Sequence, residues 1–269
     1  MPFHPQTRWH CGPAALATVL GHAGLPQTPD TLARDVFLPA REGTLQVEML
    51  AGARRHGAFA VELPPRVEAV LQEVAAGRPV VVLQNLGLGI APRWHYAVLV
   101  GYDLARSETI LRSGEAEREV LGLSTFELTW ARSGYWAFVA LPPGQLPVTA
   151  DNAALVAAAI AFERSAPPAS AAKVYASLLQ RWPGHLNATI GLGNTRHAAG
   201  DVRGAAQAFE AAALRHDSAA AWNNLAQALL ALGDRAGARL AAQRAVLRAD
   251  SSEPQWAVVA RETLRSTSE

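Results

Sequence analysis

A single cysteine in 269 residues leaves no internal disulfide and no centre built from several thiolates, so a disulfide scaffold and a structural zinc or iron–sulfur site are both excluded. Charge of one sign is also missing. Lys+Arg number 24 and Asp+Glu 23, which removes the basic footprint of an electrostatic nucleic-acid binder. No apolar run reaches the roughly 18 residues that a membrane-spanning helix needs, and the opening MPFHPQ lacks the basic-then-apolar order of a signal peptide. Half of the residues are hydrophobic and 17% are charged, so the chain as given reads as a soluble globular protein of one large or two ordinary domains. No cofactor and no metal is expected. One thiol is left to account for.

The composition changes near residue 150. Alanine rises from 21 in residues 1–150 to 34 in residues 151–269, while proline falls from 13 to 4. Alanine favours helix, and proline interrupts both helices and central strands. The first part therefore reads as mixed and turn-rich, and the second as all-helical. This places domains at 1–143 and 152–269, joined by a linker at 144–151 within the proline-rich junction LPPGQLPVTAD (141–151).

In the second part Trp222 and Trp256 are 34 residues apart, and Gly200-Asp201 recurs 33 residues later as Gly233-Asp234. Each Gly-Asp pair precedes an alanine-rich helix, with Ala205 and Phe209 in one and Ala238 and Ala242 in the other. On this frame 152–185 is a degenerate first repeat and 253–265 a lone last helix, about three helix pairs and a cap. The pattern, most specific in WNNLAQALLALGDRAGARLAAQRAV (222–246), resembles the tetratricopeptide repeat (TPR), in which small residues let paired helices approach closely. Such pairs stack into a solenoid whose first helices line a concave groove for extended peptides or a partner's helix. Asn187, Asn194, Asn223, Asn224 and Gln227 fall on first helices and offer amides to a peptide backbone. No Lys/Arg cluster falls there, so a clamp for an acidic tail is not expected.

The first part shows helical spacing over 11–23, 45–56 (with Thr44 as N-cap) and 66–76, then strand-length apolar runs at 79–86, 95–103, 107–113 and 135–141. Helices followed by mostly antiparallel strands make an α+β domain. Cys11 stands immediately before the first helix, where the helix dipole and unpaired amides favour the thiolate. Gly12 permits close backbone approach and Pro13 suits a first turn. Gln6, five residues upstream, can join the Cys11 amide as an oxyanion donor. A thiolate needs a base that later protonates the leaving group, and of eight histidines His95 fits best, opening the strand WHYAVLVGYD.

QTRWHCGPAALATVL together with WHYAVLVGYD resembles the papain-like cysteine peptidases, specifically the bacteriocin-processing (double-glycine leader) peptidase family, over residues 3–141. The resemblance implies an antiparallel sheet covered by N-terminal helices, peptide-bond hydrolysis by a Cys11–His95 pair, and Gln6 as oxyanion donor. Relatives that carry such a domain followed by TPRs occur in exported or lipid-anchored bacterial proteins, which implies a periplasmic or lipid-anchored full-length precursor. The strand after the histidine strand ends, in the family, in an acid that orients the imidazole; here the segment reads LRSGEAE and puts Ser113 at that position. With a turn at 104–106, residue 103 opposes 107 and residue 95 opposes 115, so Ser113 and Glu115 both fall near His95. Asp103 lies eight residues along the same strand, about 26 Å away. Ser113 accepts a hydrogen bond but supplies no charge. A weakened triad, a bare dyad and a Glu115 variant all stay open. Gln6 is also one residue closer to Cys11 than is common in the family.

Trp9, Trp94 and Asn85 are placed around the expected cleft. Two kinds of function follow: a cysteine peptidase, or an acyl transferase of the same chemistry, with repeats that recruit a protein; or a peptidase-like scaffold that has lost turnover and binds partners through its repeats.

Overall fold

The computed structural model describes residues 1–5, 11–41 and 43–268. The chain divides into two compact units, Met1–Ala166 and Pro167–Glu269.

The first unit opens with α1 (Cys11–His22), α2 (Pro29–Val36) and α3 (Gln46–Arg55), continues through β1 (Phe59–Glu62), α4 (Val67–Ala75), β2 (Val80–Asn85), β3 (Trp94–Asp103), β4 (Glu108–Ser113), β5 (Ala116–Gly122), α5 (Leu123–Ala131) and β6 (Ala137–Leu141), and closes with α6 (Asn152–Glu163). The strands form one antiparallel sheet in the order β1-β6-β2-β3-β4-β5. This is the helices-then-sheet α+β arrangement. Helix α1 is apolar all round and is buried from Gly12 to Leu20. Its Leu16, Val19 and Leu20 join Val81, Leu83, Tyr96, Val98, Trp136 and Phe138 of the sheet in one core. Burial of each such aliphatic side chain stabilises by about 1.5–3 kcal/mol, so the helix that carries the thiol is fixed by the bulk of the core. On α5, Phe126 and Trp130 are fully buried, and the Trp130 indole donates to the Trp136 carbonyl.

Four elements go beyond the expected set. Helix α2 starts at Thr28-Pro29, where the Thr28 hydroxyl accepts from the Thr31 amide and proline occupies the first turn. The other three are the four-residue β1, the polar edge strand β5 and α5. Thr44 is not the cap of α3; Leu45 holds that position without a side-chain bond, and the Thr44 carbonyl instead accepts from the Tyr96 hydroxyl. The stretch 144–151 is tied down within the first unit. Glu73, fully buried, accepts from the Thr149 amide and hydroxyl at 2.8 and 2.7 Å and pairs with Arg78 at 3.2 Å. Helix α6, capped by Asp151, packs on β1, with Phe162 edge-on to Phe59 at 5.9 Å.

The second unit contains α7 (Pro168–Arg181), α8 (Leu186–Ala198), α9 (Val202–His216), α10 (Ala219–Ala231), α11 (Arg235–Ser251) and α12 (Ala257–Ser266), each packed on the next in sequence. The Gly-Asp repeats explain the tight corners. Gly200 and Gly233 take φ +85° and +82°, a conformation that favours glycine. Asp201 and Asp234 then cap α9 and α11 by accepting from Gly204 and Gly237. Close packing depends on small residues: a Cβ on Gly193 would sit 2.3 Å from the Phe209 ring.

Candidate active site

Cys11 is the first residue of α1 and is half-buried. The turn that holds it has no room to spare, since a Cβ on Gly12 would meet the Thr44 hydroxyl at 2.7 Å and Met49 Sδ at 3.3 Å. The backbone amides of Tyr96, Gly12 and Cys11 itself face the sulfur, so β3 reaches the thiol through the residue next to His95. These amides favour a thiolate, as a helix start should, but burial outweighs them and pushes the thiol up from its ordinary value. The Tyr96 phenol is pushed up too, by burial and then by the neighbouring Cys11.

His95 is the second residue of β3, and its Nε2 lies 2.9 Å from Ser113 Oγ at the end of β4. The register behind this contact has an unexpected step. Asp103 pairs with Glu108, one residue beyond the expected 107, and a bulge between Leu99 and Gly101 absorbs the extra residue, so that Leu99 faces Leu111 and Val98 faces Arg112. The pairing at the His95 end therefore matches the simple hairpin count. Burial pulls the imidazole down from its ordinary value, Glu119 raises it and Arg93 lowers it further. Burial thus disfavours the charged form of both groups, while Nε2 is engaged by Ser113 and Nδ1 is left as the other ring nitrogen.

Glu119 was absent from the sequence-based set. It sits on β5 opposite Leu111, and extending the hairpin count by one more strand would have found it. Glu115 is exposed in the β4–β5 turn, and among the described residues the bond to His95 is made by Ser113. Trp94, next to His95, is 52% exposed. Asn85 is buried and its side-chain carbonyl accepts from the Gly87 and Arg93 amides, closing the β2–β3 connection. Arg132 reinforces that loop by donating to the Asn85 and Gly87 carbonyls. Gln6 and Trp9 lie outside the described residues. No group of three His, Cys, Asp or Glu able to hold a metal occurs among the described residues, nor does a helix long and apolar enough to cross a membrane.

In the second unit, Asn224 reaches Asn194 of α8 and Asn223 reaches Asn224, each at 3.5 Å, while Gln227 reaches Thr263 of α12 at 3.4 Å. These long contacts form an amide row across α8, α10 and α12. Asn187 is exposed at the start of α8. Asn223 is 2% exposed and its Oδ1 has no hydrogen-bond partner among the described residues.

A thiol and an imidazole presented by a helix start and a strand start can attack and protonate an acyl group. The model of the Peptidase_C39 like family matches residues 1–138, just over half of the chain. No curated protein matches the chain in sequence. Among solved structures, a Bacillus anthracis protein described as a C39-like peptidase is 19% identical, with 52% of this chain and 94% of that one covered at a TM-score of 0.43. The Sgt2 TPR domain from Aspergillus fumigatus is 19% identical (42% and 74% covered, TM-score 0.39). The Yersinia enterocolitica type III secretion chaperone SycD, in complex with a peptide of the translocator YopD, is 20% identical (42% and 89%, TM-score 0.39).

Proposed function

Because the chain belongs to the Peptidase_C39 like family, we propose that it is a cysteine peptidase in which Cys11 is the nucleophile, His95 the base and acid, and Ser113 the residue that orients the ring. The observation that carries this reading is the 2.9 Å contact of His95 Nε2 with Ser113 Oγ, which leaves Nδ1 for the thiol proton. His95 takes the proton of Cys11 as sulfur attacks the carbonyl carbon, and the tetrahedral oxyanion draws on the Cys11 amide and Gln6. His95 Nδ1–H then protonates the amine as the C–N bond breaks. Water, deprotonated by the same ring, releases the acid from the thioester and restores the thiol. An amine in place of water would make the reaction an acyl transfer. The domain at 1–143 does this chemistry, and the repeats of the second unit bring a protein or peptide to their amide row, Asn194, Asn224 and Gln227, with Asn187 and Asn223 beside it. A double-glycine leader is the substrate type that the family suggests, and a periplasmic or lipid-anchored precursor its setting.

A second reading, a binding protein without turnover, is favoured by one feature: a neutral serine where a carboxylate would hold the imidazolium. The two separate in one experiment. An epoxysuccinyl probe on the full chain at neutral pH should label Cys11 faster than a free thiol, and His95→Ala should abolish the excess. Cells with wild-type protein should also show new protein N-termini that Cys11→Ala cells lack. Labelling at the free-thiol rate, with no new N-termini, would leave the binding reading.

A further inference from the structure

Helix α11 carries its large side chains on the outside. Its buried residues are all alanines, Ala238, Ala241, Ala242, Ala245 and Ala249, while Leu240 and Leu247 are 66% and 59% exposed. The two leucines are seven residues apart, hence on one face, and such a spacing is the seam of a helix–helix contact. They form one wall of a groove of about 680 Å³ whose floor is Trp222, Leu225 and Leu229 of α10 and whose far wall is α9. From Gly237 to Leu247 the wall runs about 15 Å, or three helical turns. At about 100° per residue, Trp222, Leu225 and Leu229 lie roughly 160° around α10 from Asn224 and Gln227, so this groove and the amide row are on opposite faces.

Charge selects the occupant. Arg203 and Arg244 line the groove, and a second cleft of about 620 Å³ between α11 and α12, which shares Gln243 with it, carries Arg239 and Arg265. Of the acids lining the groove, Asp234 is occupied as the cap of α11, which leaves Glu210. Arg261 is paired with Asp250, and Arg248 with Asp217 beside Arg244; none of the ion pairs found among the described residues involves Arg203, Arg239 or Arg265. A second copy of the chain meeting this face symmetrically would set arginine against arginine. An acidic partner would not.

We propose that the groove between α9 and α11 receives one amphipathic helix of a partner protein, with an apolar ridge on the Trp222–Leu229 floor and the Leu240–Leu247 wall and carboxylates toward Arg203 and Arg244. The test selects a displayed library of helix-forming peptides of about 18 residues on the full chain, with counter-selection on Leu240→Glu/Leu247→Glu. Enriched peptides should share apolar residues at i, i+3 or i+4, and i+7, flanked by Asp or Glu. A fluorescent copy of the winner should lose about tenfold or more in affinity on the leucine variant and on Arg203→Glu/Arg244→Glu, and should weaken as salt rises from about 0.05 to 0.5 M. All substituted side chains lie at the surface of the groove or cleft, so circular dichroism melting should be unchanged, and Cys11 labelling should be unaffected. The proposal is overturned if no peptide separates wild type from the variants, if enriched peptides lack acidic flanks, or if sedimentation shows a dimer that the leucine variant breaks, since the occupant would then be a second copy.

Discussion

Replacing Ser113 by aspartate puts a carboxylate where a hydroxyl now stands 2.9 Å from His95 Nε2. Carboxylate and imidazolium would be about 4 Å apart between charge centres, an attraction of roughly 4 kcal/mol at an effective dielectric of 20. Desolvating the new carboxylate offsets part of this. An opposite charge at such range moves a pKa by about 1–3 units, and a midpoint of about 2 units corresponds to ~2.7 kcal/mol. The sign is upward: burial holds the His95 imidazole below its ordinary value, and the carboxylate favours the protonated ring. The balance between the neutral pair (thiol, imidazole) and the ion pair (thiolate, imidazolium) follows the difference between the two pKa values. Raising the imidazole by about 2 units therefore raises the ion-pair population up to ~100-fold, and about tenfold if desolvation takes half of the gain.

The assay is the second-order rate of Cys11 alkylation by iodoacetamide across pH. In the wild type the rate should climb only on the alkaline side, because burial pushes the thiol up. In Ser113→Asp a plateau should appear near neutrality, bounded on its alkaline side by loss of the imidazolium proton, with a rate about ten- to a hundredfold higher at pH 7. Adding His95→Ala must remove the plateau. A folded Ser113→Asp protein whose pH profile matches the wild type would refute the reasoning, since the residue at 113 would then not act on the thiol through His95.

Two further outcomes are expected. Glu119 favours the protonated form of His95, so in the Ser113→Asp background, where the plateau reports the imidazolium, adding Glu119→Gln should lower the plateau rate about 1.4- to fivefold, as befits a partly screened charge worth ~0.2–1 kcal/mol; the rate measured at low and high salt checks it. Glu73→Ala should strand Arg78 and the Thr149 amide and hydroxyl, a loss of about 3–5 kcal/mol for a broken buried pair, lowering the melting transition of the first unit by roughly 10 °C, while Glu73→Gln, which keeps an acceptor for Thr149, should cost less.

The ends of the two elements that carry Cys11 and His95 were legible because their signals are local. Gly12-Pro13 marks a helix start at Cys11, and the run from His95 to Val100 reads as a buried strand from pattern alone. The His95–Ser113 neighbourhood was legible through hairpin counting, although the count succeeded by compensation: the turn is one residue longer than expected and the bulge beside Val100 takes the residue back. What escaped needed a partner distant in sequence. β5 is a charged, mostly exposed edge strand with little apolar alternation to announce it, and Glu119 was hidden with it. Thr44 has the chemistry of a helix cap, yet its carbonyl is taken by Tyr96, 52 residues away. Asn85 was placed at the cleft by its position at a strand end, and its side-chain carbonyl is taken by the Gly87 and Arg93 amides. Glu73 gave no signal at all, since a carboxylate on a short amphipathic helix reads as solvent-facing until Thr149 is folded over it.

The same limit governs the chemistry. A cysteine at a helix start carries the expectation of a lowered pKa, and the responsible amides are all present around Cys11; they lose to burial, which is a property of the packed core and not of the segment. His95 is displaced the opposite way by the same cause. Moving the two values apart in these directions makes the resting ion pair unfavourable, so a site built this way holds no charged nucleophile in reserve. On the proposed mechanism its charge pair forms as a bound acyl group accepts the sulfur's electrons and the proton moves to Nδ1. Such a site is quiet toward small alkylating agents and selective for ligands that align a carbonyl over the thiol. Slow iodoacetamide labelling together with fast labelling by a peptide-like epoxysuccinyl probe is the pattern that this coupling requires, and equal acceleration of both would contradict it.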